Sequence, residues 1–231
     1  MPFKIYYNAY PSSIGNSVEE ENVKPLDYNH SQYWDYISNL NKKIKEDSDD
    51  ASLYIERAIF RDKNFFHEID AIESKTIRDY NTKKGRKYKL ILDDFDNALH
   101  LDPSNDLFWY QKGLSVQDGY GSSNVYGDDY INASIPIFTN AIKLNSKDHK
   151  YFYSRAISYQ ISKKHAEAIK DFNIAISLHP SKGKCFKAEY FNERAFTKGY
   201  GLNDWEGALN DNLEALKIDP DCEVIPSVSE C

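Results

Sequence analysis

The chain has 231 residues, with 29 Lys plus Arg against 36 Asp plus Glu and a formal net charge of −7. This length allows one large domain or two small ones, and the acidic balance argues against a general nucleic-acid or anionic-membrane binder. No apolar run is long enough to span a bilayer, and the opening MPFKIYYNAYPSS lacks an apolar core of signal-peptide length, so the expected location is cytoplasmic.

Residues 1–29 read as an N-terminal arm, in which FKIYYNAY (3–10) alternates like a strand and is rich in aromatics. Residues 30–47 read as a packing helix, with Trp34, Ile37, Leu40 and Ile44 on one face. The segment 48–220 then repeats itself. ILDDFDNALHLDP (91–103), AIKDFNIAISLHP (168–180) and ALNDNLEALKIDP (208–220) are versions of one phrase, and SIPIFTNAIKLNS (134–146) is a fourth with Ser146 in the proline slot. Each copy spaces apolar or small residues three and four apart, as one helix face requires, and proline marks the exit because it cannot continue a helix. Upstream of each phrase stands a second one: YIERA (54–58), WYQKG (109–113), FYSRA (152–156) and FNERA (191–195). Residues 221–231, with Pro226, read as a tail.

From Phe152 to Pro180 the unit runs F-x2-R-A-x2-Y, then A-x3-F-x2-A-x4-P. This resembles the tetratricopeptide repeat, whose signature is W-x2-L-G-x2-Y…A-x3-F…P. The resemblance covers about 50–220 and implies an all-α, right-handed superhelical solenoid of four helix pairs, at about 50–103, 104–146, 147–180 and 187–220. Insertions fall at 62–86 and 117–129. The first is expected to be a longer first helix or an added helix, with a turn at Gly85; the second, QDGYGSSNVYGDD, is expected to be a loop. Two insertions at neighbouring hairpin turns would decorate one edge. Small residues at Ala58, Gly113, Ala156 and Ala195, answered by Ala168 and Ala208, let helices approach closely. Arg57, Arg155 and Arg194 are expected to pair with Asp94, Asp171 and Asp211; the second repeat has Lys112, and Ile137 in place of the acid. Asn212 stands where the other copies have Phe, which points to a terminal, capping repeat.

In tetratricopeptide proteins the first helices line a concave peptide-binding face. Carried over slot by slot, that face comprises Ser52, Ile55, Glu56 and Ile59; Leu107, Tyr110, Gln111 and Leu114; Lys150, Tyr153, Ser154 and Ile157; and Glu189, Asn192, Glu193 and Phe196. Co-chaperone members grip a C-terminal carboxylate with Lys, Asn and Arg at certain of these slots. Only Lys150 matches, with Ile55, Ile59, Gln111 and Ser154 at the others, which argues against a chaperone-tail clamp. The implied function is a non-catalytic protein–protein interaction adaptor, taking a peptide with apolar anchors and flanking basic residues. The N-terminal arm, about 95 Å long if fully extended, could reach the face itself. The alternative is an accessory assembly or nucleic-acid-docking module using the basic run KKGRKYK (83–89) in the 62–89 region.

Enzymatic chemistry is not expected. His30, His67, His100, His149, His165 and His179 form no His-x3-His pair or Cys–His cluster, GYGSS lacks the lysine and strand context of a phosphate loop, and no G-x-S-x-G occurs. Neither a metal nor a cofactor is implied. Cys185, Cys222 and Cys231 are odd in number and read as free thiols.

Overall fold

The computed structural model describes residues 30–65, 77–118, 129–179 and 184–219. Helix α1 (His30–Glu46) precedes four helix pairs: α2 (Ala51–Lys63) with α3 (Ile77–Leu101), α4 (Asp106–Asp118) with α5 (Tyr130–Leu144), α6 (His149–Ile161) with α7 (His165–Leu178), and α8 (Lys184–Phe196) with α9 (Trp205–Ile218). Helix starts follow the acids: Asp50, Asp148 and Asp204 each accept a hydrogen bond from a backbone N–H of the first turn, satisfying donors that a helix leaves orphaned. Helices adjacent in the chain pack on one another, and first helices also touch along the stack, α2 with α4 and α4 with α6. This is the all-α solenoid that the repeat implies. Each pair shares its core only with its neighbours.

Close approach is what the small residues permit. Ala58, Ala98, Ala141, Ala156, Ala168 and Ala175 are fully buried, and Phe95, Phe138 and Phe172 fill the space between helices. At Gly113 the two helices of a pair leave no room for a side chain: a Cβ built there would lie 2.5 Å from Phe138 Cε1.

The expected ion pairs are present. Arg155 grips Asp171 with Nε at 2.7 Å and Nη2 at 2.9 Å, Arg194 grips Asp211 at 2.9 and 2.7 Å, and Arg57 grips Asp94 at 2.9 and 2.5 Å. The arginine side chains are 14–16% exposed, so the pairs are largely shielded from water. The third donor of each arginine reaches backward. Arg57 Nη1 donates to Asn41, Arg155 Nη1 to Thr139 and Arg194 Nη1 to Asn173, each on the helix before its own pair. Lys112 makes only that backward reach, to Asp96. The second repeat thus keeps the link between pairs where its own acid slot is Ile137.

Several expectations need correction. The chain does not turn at Gly85: α3 runs unbroken from Ile77 to Leu101, and α2 ends at Lys63, so the first helix is not the one lengthened; the alternative of an added helix falls on 66–76, outside the described residues. One glycine costs a helix only about 1 kcal/mol, and burial of Tyr88, Ile91 and Phe95 just beyond it outweighs that. The basic run 83–89 is therefore helical, with Lys87 over the Trp34 ring at 5.6 Å and Tyr88 Oη donating to Ser115 O at 2.7 Å. Gln117 and Asp118, expected in a loop, finish α4; Gln117 is buried and donates to Ser154 O and Ser158 Oγ, both at 2.7 Å. The fourth pair begins at Lys184, three residues before the expected 187. Asn212, expected to face the open end of a terminal repeat, is itself buried, and the exposed residues of α9 include Leu209, Leu213 and Leu216; no described helix follows α9. Residues 66–76 and 119–128 of the insertions, the arm 1–29 and the tail 221–231 lie outside the described residues, as do Cys222 and Cys231. Asp62 is pushed up to about 7 by burial and by the charge of Asp118, which places the points where the two insertions leave the solenoid side by side.

A further irregularity went unread in the sequence. Ala156 and Ala168 are twelve positions apart, but Ala195 and Ala208 are thirteen. The extra residue is absorbed by a π-helical turn at Thr197–Gly201, where Gly199 lies against the Trp205 ring and Gly201 against His165.

Two substitutions test these contacts. Gly113→Ala should destabilise by about 1–3 kcal/mol in urea unfolding, because overpacking against the immobile Phe138 outweighs the propensity gain. Arg155→Met should cost about 3 kcal/mol by stranding Asp171, and Arg155→Met with Asp171→Leu should recover much of it; an unchanged single variant would remove the clamp's structural role.

Candidate functional site

First helices touch at two junctions, α2 with α4 and α4 with α6, and the concave face that the repeat resemblance implies would lie along them. The residues expected to line it divide by burial. Ile55 is buried, Ile59 half-buried, and Glu56 exposed but engaged by the Tyr36 hydroxyl. Leu107 is exposed; Gln111 and Leu114 are half-buried. Tyr110 is only 3% exposed, with its ring 4.8 Å from Tyr151 and 6.0 Å from Phe138. Its hydroxyl lies near Ser154 but makes no hydrogen bond of good geometry among the described residues. Tyr153 is 5% exposed, and Ser154, Ile157 and Asn192 are buried, whereas Lys150 and Glu193 are half-buried and Phe196 is exposed. Tyr110 and Tyr153 thus pack within the wall. The other slots stay exposed or half-buried: Ser52, Glu56 and Ile59; Leu107, Gln111 and Leu114; Lys150; and Glu189, Glu193 and Phe196.

The wall is most polar between α6 and α8. Tyr153 stacks on Tyr190 at 4.2 Å and 17°, and its hydroxyl donates to Glu189 Oε1 at 2.7 Å. One turn on, Glu193 Oε2 accepts from Gln160 Nε2 at 3.2 Å, and Gln160 also donates to Thr197 Oγ1 at 2.9 Å. Tyr190 Oη meets His149 Nδ1 at 2.8 Å, with the His179 ring 4.4 Å from that of His149. Burial and the neighbouring His179 hold His149 low, at about 4, so it is neutral at physiological pH.

Glu189 and Glu193 sit at i and i+4 on α8. Burial pushes Glu189 above the usual range, and burial pushes Glu193 up with a smaller contribution from the Glu189 charge. Neither carboxylate has an ion-pair partner among the described residues. Two half-buried acids thus stand beside tyrosine and glutamine side chains. Among the described residues no cluster of three His, Cys, Asp or Glu side chains is placed to hold a metal ion, and no helix is long and apolar enough to cross a membrane.

Sequence reasoning placed Glu189 and Glu193 on this face but missed Tyr190, Gln160 and Gln117. A signal for Tyr190 existed. An aromatic residue, Phe108, Tyr151 or Tyr190, stands immediately before the shared phrase in the last three copies, and Tyr151 and Tyr190 are both buried.

No protein-family model and no curated protein sequence matches the chain, but solved structures do. A crystal structure of MamA superposes with a TM-score of 0.60 at 15% identity, covering 82% of this chain and 90% of that one. MamA from Desulfovibrio magneticus RS-1 gives 0.61 at 12% identity, covering 82% and 86%. YrrB, a TPR protein with an unusual peptide-binding site, gives 0.48 at 21% identity over 79% and 93%. The fold is that of a tetratricopeptide-repeat solenoid.

Raised acids carry a definite sign. The folded state holds protons on Glu189 and Glu193 that the unfolded chain releases in the ordinary glutamate range, so their contribution to stability falls as pH rises from that range toward the raised values. Glu189→Gln with Glu193→Gln should therefore flatten the decline of the urea midpoint across that window. The readout is the difference between parent and variant profiles.

Proposed function

We propose that the chain is a non-catalytic adaptor that holds a peptide or partner segment along the concave face, with a basic residue of that segment seated between α6 and α8. The observation that carries this reading is the unneutralised pair Glu189 and Glu193, sunk beside the Tyr153–Tyr190 stack. A folded chain keeps half-buried carboxylates without a cation at some cost, and an incoming lysine or arginine would relieve it through charge-assisted hydrogen bonds. Exposed Phe196 on the same helix and exposed Leu107 on α4 supply apolar anchor points of the kind that dominate peptide recognition. The absence of the Lys–Asn–Arg set at the matching slots sets this face apart from a carboxylate clamp. Its acids favour positively charged segments instead.

Fluorescence anisotropy with labelled nonapeptides, each bearing Leu or Phe anchors and either Lys/Arg, neutral or Asp/Glu flanks, tests the reading. Basic peptides should bind, and more tightly as pH rises, since ionised glutamates hold the cation. Glu189→Gln with Glu193→Gln should weaken them by about 30-fold, roughly 2 kcal/mol, and leave neutral peptides unaffected. Equal affinity for acidic and basic peptides, or an unchanged double variant, would sink it.

A further inference from the structure

The end of the solenoid breaks a rule that the repeats otherwise keep. In the first pair, Leu92 and Leu99 flank the phenylalanine slot and are covered by the next pair, at 5% and 7% exposure. Their counterparts in the last pair, Leu209 and Leu216, are 47% and 39% exposed. Between them stands Leu213, 46% exposed, at the slot that in earlier copies is Asp96, Thr139 or Asn173 and accepts the backward reach of the next cation. The last pair has thus replaced the polar acceptor for a following repeat with a leucine. Trp205, Leu209, Leu213 and Leu216 fall within an arc of about 80° on α9, and exposed Tyr200 and Leu202 extend the patch from the preceding turn.

We infer that this face is the contact of a two-fold dimer in which the last pairs of two copies pack end to end. Another in-line repeat is a poor occupant, because its Arg or Lys would meet Leu213 instead of an acceptor. Head-to-tail stacking of copies is also poor, because among the described residues the opposite end presents Ser31, Gln32, Asp35, Ser38, Asn39 and Lys42 of α1 to solvent, with one exposed aromatic, Trp34, lying under Lys87. Only the C-terminal end against its own symmetry mate buries leucine on leucine, and such an isologous contact closes at two copies. At roughly 100 Å² per side chain, the six residues offer about 600 Å² and a pair of copies about 1,200 Å², the lower bound of stable interfaces. A face this large and apolar is costly to leave in water.

Sedimentation equilibrium of the full chain from about 1 to 100 µM, the span that separates weak from moderate dimers, decides the matter. The expected mass is twice the 26.8 kDa of one copy. Leu213→Asn, which restores the polar acceptor, should raise the dissociation constant at least about tenfold. Leu209→Glu with Leu213→Glu should give a monomer with an unchanged helical circular-dichroism spectrum. Ser38→Glu, at the other end, should change nothing. A parent that stays monomeric throughout overturns the proposal, as does a dimer indifferent to the α9 variants. A monomer that dimerises only when Val224→Asp with Ile225→Asp is introduced also overturns it, because the chain's own tail would then be the occupant. Glu189 and Glu193 lie on α8, outside the patch, so the peptide assay and this one fail independently.

Discussion

In each repeat one cation joins the helix pair to the helix before it. Arg57, Arg155 and Arg194 each spend two donors on an aspartate of their own pair and a third on the helix before it. The guanidinium suits this task, since its planar fork serves two partners at fixed angles and keeps its charge when partly buried. Lys112 has a single point charge and makes only the link between pairs. The substitution is informative because it separates the two duties. Where the pair's own acid is missing, the stack still needs its joint to the preceding pair, and lysine is sufficient for that alone.

Around these joints the geometry is set by what is absent from side chains. Alanine at the crossings brings helix axes near enough for Phe95, Phe138 and Phe172 to be wholly enclosed, and at Gly113 even a methyl group does not fit. Close-packed interiors tolerate such demands poorly, so the repeat phrase is a packing specification and carries no chemistry of its own. The chemistry sits on the inner helices, where the slots differ from copy to copy. In the first three pairs those slots are filled mostly by apolar and hydroxyl groups, and among these slots the last pair alone carries two acids, Glu189 and Glu193.

The repeat, its alanines and its ion pairs were legible in the sequence because each reflects a periodic constraint read several times over. Gly85 misled, since a glycine in a charged stretch resembles a turn when the buried Tyr88 and Ile91 that hold the helix together are not yet known to be buried. Asn212 misled for a related reason. Its polarity suggested a solvent-facing end, but the outward residues are its neighbours at 209, 213 and 216. At the candidate site the positions could be named but not their burial. Tyr110 and Tyr153 were expected to greet a ligand, yet their rings pack against Tyr151 and Tyr190. Such contacts depend on partners 37 to 41 positions away, beyond the reach of local pattern.

The π-helical turn at Thr197–Gly201 has a bearing on how such chains change length. Adding one residue to an α-helix rotates everything after it by about 100°, which would swing Ala208 and Asp211 out of the core and break the grip of Arg194. A single wide turn absorbs the residue instead, and both stay buried. Glycines at 199 and 201 make room for it where Trp205 and His165 press close. The repeat length is therefore not a rigid quantity in this architecture. Ancestral insertions can persist as local swellings of a helix, while the inner and outer faces downstream keep the orientation they had before.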